Sequence, residues 1–78
     1  MVRIDLGSLN VSRRRDPQGF YVAIIGKERA AIIIDAVEEL GLDIESSGDV
    51  IMIRSKSWAK LASLMSRAKA RGLRVIND

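Results

Sequence analysis

Lys56, Lys60, Ser63, Arg67 and Arg71 recur at steps of three and four residues near the end of the chain. That spacing sets them along one side of a helix. A row of cations suits a row of phosphates, because each phosphate neutralised releases counterions and adds affinity. Ser63 adds a hydroxyl that can donate to a phosphate oxygen. A second basic group, Arg13-Arg14-Arg15, stands just before a tight turn. On a strand the outer two point one way and Arg14 the other. With Phe20 or Tyr21 close by, on which a base can stack, these arginines form a candidate phosphate-gripping hairpin tip.

Plainer readings exist for both groups. Lysines and arginines commonly cover the solvated side of a helix, and charges on an edge strand block unwanted strand addition. The basic row also has a possible partner inside the chain. Residues 27–49 sum to −5, between a +2 segment before them and a +6 segment after. An acidic first helix packed beside the basic one would pair some of these charges, and exposed pairs of that kind add little stability.

Other chemistry lacks its usual agents. The chain has no histidine and no cysteine, so the common general base and the thiol nucleophile are missing. The serines stand at turns and helix starts, where backbone bonding accounts for them. Gly26-Lys27-Glu28 follows a strand and opens a helix, but it lacks the remainder of a phosphate loop. Asp35, Glu38, Glu39, Asp43, Glu45 and Asp49 do not fall in a calcium-loop register. They read as a solvated or docking surface. The expectation is a non-enzymatic protein with no catalytic residues, no metal and no cofactor.

Seventy-eight residues form one small domain whose core hides about 60% of the unfolded surface. With no disulfide or zinc to staple it, packing or self-association must supply the stability. No apolar run is long enough for a signal peptide or a membrane span. Together with the lack of cysteine, this makes a cytoplasmic protein the expectation.

The elements that would position the basic groups are legible in outline. Val2, Ile4 and Leu6 alternate with Arg3 and Asp5 as a short strand or arm. Leu9–Arg15 and Phe20–Ile25 flank Asp16-Pro17-Gln18-Gly19, whose Asp, Pro and Gly fit the first, second and fourth positions of a type I turn. Phe20–Ile25 is apolar on both faces, as in a strand covered on both sides. Lys27–Leu40 reads as one helix, with Ala30, Ile33, Ile34, Val37 and Leu40 inward and Gly41 closing it. Leu42–Glu45 and Val50–Arg54 form a second hairpin around Ser46–Asp49. Ser55 or Ser57 caps a helix whose stripe is Trp58, Leu61, Ala62, Met65 and Ala68, with the basic row opposite. Gly72 ends it, and Leu73–Ile76 is the last strand.

From Phe20 onward this order is βαββαβ, the split arrangement of ferredoxin-like domains. The expected fold is therefore α+β, with an antiparallel sheet and two helices on one face. Residues 1–19 supply an arm and hairpin strand, and residues 20–76 the core. Nothing in the chain obviously covers the other face of Phe20–Ile25, so a homodimer is expected. An RNA-binding sheet of the paired-aromatic kind is disfavoured, because Val50–Ile53 has no aromatic residue. The stretch Phe20 to Ile53, through Ile44-Glu45-Ser46-Ser47-Gly48-Asp49-Val50, is similar in element order to the small effector proteins of multicomponent monooxygenases. That likeness spans under half the chain and ends at the basic helix after Ile53.

The leading expectation is binding of a DNA or RNA backbone through Arg13, Arg14, Arg15, Lys56, Lys60, Ser63, Arg67 and Arg71. No base-reading constellation accompanies these residues. The alternative is a protein–protein adaptor, or a regulatory or effector subunit, that docks a partner through its acidic and basic helices.

Overall fold

The computed structural model describes residues 6–77. The expected strand or arm at Val2 and Ile4 lies outside the described residues. Strand β1 (Leu9–Arg15) and strand β2 (Tyr21–Gly26) form the first hairpin. Its turn is held twice over. The Gly19 amide donates to the Asp16 carbonyl at 2.9 Å, and the Asp16 carboxylate accepts from the amides of Gln18 at 2.9 Å and Phe20 at 2.8 Å. Aspartate at the turn start is chosen for this backward bonding.

The expected single helix over 27–40 is instead two short ones, α1 (Lys27–Ala30) and α2 (Ile34–Glu39). Between them the amides of Ile32 and Ile33 bond three residues back, to Arg29 and Ala30. Ile33 takes φ −122°, outside helical geometry, and is fully buried. Three consecutive β-branched isoleucines carry a cost in χ1 freedom within a helix. The break lets the middle one drop into the core.

Strand β3 (Asp43–Ser47) and strand β4 (Val50–Ser55) form the second hairpin, with Ser47 opposite Val50. Only Gly48 and Asp49 remain in the loop, so the turn is shorter than the four residues expected. Helix α3 (Trp58–Ala70) follows, capped by the Ser57 hydroxyl, which accepts from the Lys60 amide. Gly72 ends it at φ +82°, a conformation that strains any side chain. There the Leu73 amide reaches back to the Ala68 carbonyl at 2.9 Å, the bond of a Schellman close. Strand β5 (Val75–Asn77) is shorter and later than expected.

The five strands lie in the order β3-β4-β2-β1-β5. All neighbours are antiparallel except β1 and β5, which run parallel. This α+β sheet is mixed, and its order is not the ferredoxin-like one. A strand has two hydrogen-bonding edges, and those of β2 are taken by its hairpin partner β1 and by β4. The place that the ferredoxin-like order reserves for the last strand is therefore filled, and β5 pairs with the outer edge of β1.

Residues opposite one another in a ladder share a face. Leu9, Val11, Ala23, Ile25, Ile51 and Ile53 form one such set, all buried. Against it pack Ala30 and Ile33, Ala36 and Val37 of α2, and Leu61, Leu64 and Ala68 of α3. Every helical segment thus lies on one face. Gly26 is fitted closely at its edge, donating to the Leu6 carbonyl at 3.1 Å, and a side chain at position 26 would collide with that oxygen. No helix among the described residues is long and apolar enough to cross a membrane.

Candidate nucleic-acid interface

The buried stripe of α3 is Leu61, Leu64 and Ala68, with Trp58 and Met65 half-buried beside it. This turns the helix relative to the stripe read from sequence, which left out Leu64. The basic row consequently does not lie opposite the core. Ser63 and Arg67 are half-buried, whereas Ala59, Ser66 and Ala70 are exposed. The row runs along the flank that adjoins α2, and its two ends differ.

At the C-terminal end the cations are paired. The Arg67 guanidinium donates to Glu39 at 2.8 Å. Arg71 is bidentate on Asp35, at 2.6 and 3.1 Å, and also donates to the Ile32 carbonyl at 2.8 Å. These bonds and the nearby positive charge hold the Asp35 carboxyl below the usual carboxylate range, and the same contacts raise Arg71. The acidic helix takes up this half of the row.

At the N-terminal end the cations meet rings. Three strand ends converge there, because Arg15 lies opposite Tyr21 and Tyr21 opposite Ser55. Arg13 lies over the Trp58 ring and Arg15 over the Tyr21 ring, each 5.1 Å from the centroid. Tyr21 and Trp58 pack edge to face at 5.1 Å. On the other side of the sheet rim, Arg54 and Lys56 lie over the Phe20 ring at 5.3 and 5.2 Å. All three aromatic residues of the chain are therefore platforms for cations. A ring attracts a guanidinium above it through its quadrupole without taking up its N–H donors.

Among the described residues, Arg13, Arg14, Arg15, Lys56 and Lys60 form no ion pair. Arg54 has only a long contact to Glu45, at 3.8 Å. Lys56 and Lys60 line a concavity of about 370 Å³ with Phe20, Arg54 and Ser57, at the start of α3. Ser55 stiffens this corner, its hydroxyl accepting from the Ser57 amide at 3.0 Å and donating to the Ser57 carbonyl at 2.9 Å.

The residues singled out from sequence thus separate into groups. Arg13, Arg15, Lys56 and Lys60 gather at one rim of the sheet. Arg14 is exposed on β1, in the stretch where the ladder register shifts between Val11 and Arg15. Arg67 and Arg71 are engaged by α2, and Ser63 lies between the two ends. Sequence reasoning missed Arg54 and assigned Trp58 to the core alone. The signal for Arg54 was the alternation of Val50, Met52 and Arg54 against the buried Ile51 and Ile53. No group of three or more potential metal ligands occurs among the described residues. No family model, curated protein or solved structure matches the chain.

Proposed function

We propose that the chain is a non-enzymatic nucleic-acid-binding module that grips the phosphate backbone at the sheet rim. The observation that carries this reading is the set of unpaired cations on aromatic platforms: Arg13 on Trp58, Arg15 on Tyr21, and Lys56 on Phe20. Cations already held in place lose less entropy when a phosphate arrives than freely rotating ones do. The ring faces are occupied by the protein's own cations, which favours contact with phosphates over base stacking. Binding of this kind tolerates many sequences.

The adaptor alternative is less favoured, because it relies on acidic and basic helices free to dock a partner. Asp35 and Glu39 are committed to Arg71 and Arg67 within the chain.

The test is equilibrium binding to labelled duplex and single-stranded oligonucleotides from about 50 to 200 mM salt. With about four phosphates engaged on duplex DNA, log K falls against log salt with a slope near −3.6, about 0.9 per phosphate. No binding at the lowest salt rules the reading out.

A further inference from the structure

Arg54, Lys56 and Lys60 reach one hollow, the concavity of about 370 Å³ beside the start of α3. They come to it from the end of β4, the turn that follows and the first turn of the helix. Phe20 and Leu42 are its apolar lining residues, and Asp43 is the one acid among them. Arg54 and Lys56 share the Phe20 ring, at 5.3 and 5.2 Å from its centroid. Glu45 reaches Arg54 only at 3.8 Å and does not line the hollow. Three cations against one carboxylate leave a net +2. Leu6 bonds Gly26 at the far end of β2, so the described chain begins away from this corner.

We propose that the hollow takes the terminal phosphate of a nucleic-acid strand. The inference rests on the proposed function and names which phosphate the site selects. A phosphate monoester carries about −1.5 to −2 at neutral pH, whereas each phosphate within a strand carries a single negative charge. The terminal group therefore matches the net charge of the hollow, and an internal one leaves part of it uncompensated. Shape points the same way. A terminal phosphate joins the strand on one side only and can enter a recess. An internal phosphate has a nucleoside on either side and fits a ridge better. With two cations over the Phe20 ring, the end is recognised by its phosphate and not by its base.

The rest of the rim continues the path. Arg13 and Arg15 do not line the hollow. Arg15 lies opposite Tyr21 and Tyr21 opposite Ser55, about 10 Å from β4 to β1 on strand spacings. A strand that begins in the hollow meets these arginines with its following phosphates. A mononucleotide lacks those phosphates and loses the contacts.

Fluorescence anisotropy of the full chain at about 50 mM salt supplies the test. One single strand of fixed sequence carries either a phosphate or a hydroxyl at its unlabelled end, and the two ends are tried in turn. The expected result is that a phosphate at one of the ends raises affinity about tenfold. Lys60→Ala cuts that ratio to about twofold or less. Lys60 is exposed, and circular dichroism shows that the variant folds. Arg14→Ala, which removes a charge away from the hollow, leaves the ratio intact. Equal affinity for phosphate-ended and hydroxyl-ended strands overturns the inference and leaves the proposed function standing, whereas binding of neither overturns both. If Lys60→Ala weakens both strands alike, Lys60 serves internal phosphates and the inference fails. It fails also if Arg14→Ala lowers the ratio as far, or if a mononucleotide competes as well as the phosphate-ended strand.

Discussion

The two ends of α3 carry similar charges in opposite circumstances. At the C-terminal end, Arg67 and Arg71 reach acids on α2 and are spent on the fold. At the N-terminal end, Lys56 and Lys60 meet Arg13, Arg15 and Arg54 around three rings, and among the described residues no acid closes on them except Glu45 at its long distance from Arg54. A basic stripe is thus not a functional unit in itself. What separates its members is which neighbour the tertiary fold brings to each, and a ring leaves a cation available where a carboxylate does not.

Neutralising the rim is the sharpest way to break this contrast. Replacing Arg13, Arg15 and Lys56 by alanine removes three of the about four phosphate contacts that we propose. Oligonucleotide affinity at about 50 mM salt then falls by about two orders of magnitude, and the salt slope flattens by about 2.7. Fluorescence anisotropy reads both quantities.

Trp58→Ala comes next. The ring supports Arg13, touches Tyr21 and packs against the core. Its loss costs about 2 kcal/mol of folding stability, below the range for a fully buried tryptophan, and also weakens binding. Trp58→Phe keeps a ring under Arg13 and recovers most of both. Chemical denaturation and anisotropy on the same samples separate the two effects.

At the paired end, Arg67→Ala and Arg71→Ala leave affinity and salt slope unchanged. They lower thermal stability slightly, and about 1 M salt erases the difference by screening. An effect of these variants on binding as large as that of the rim variants would erase the contrast between the two ends.

The smallest effect is with pH. Arg71 holds the Asp35 carboxyl below its ordinary value. A carboxylate with a depressed folded pKa adds stability that is present above the unfolded pKa of about 4. That contribution is lost as pH falls through the lower folded value. Asp35→Asn removes this part of the acid dependence, while thermal melts at neutral and acid pH show little change in the remainder.

Several of these features could be read before folding was considered. Asp16-Pro17-Gln18-Gly19 announced its hairpin because the turn chemistry is local, and for the same reason Gly72 marked the end of α3 and Ser55 or Ser57 its start, the fold choosing Ser57. The strand order was not legible as a pattern of elements, although a constraint was present. With Leu9–Arg15 on one edge of β2 and β4 on the other, β2 has no edge left for a last strand, and β5 pairs beyond β1. The break at Ile32 and Ile33 escaped because the isoleucines fit a helical period as well as they fit the turn.

For the site, Lys56, Lys60 and the arginine triplet were visible as charge. Arg54 was hidden because the alternation along β4 gives the face it lies on but does not join it to the other basic residues. That Arg67 and Arg71 would be paired depended on the packing of α2 beside α3, which spacing along one helix cannot show.

The most direct measurement is a two-dimensional amide NMR titration of the full chain with a short duplex at low salt. The expected result is shifts confined to residues 13–15, 20–21 and 54–60, with residues 67–71 unmoved. Shifts centred on 67–71, or none at all, would contradict the assignment of phosphate binding to the unpaired rim.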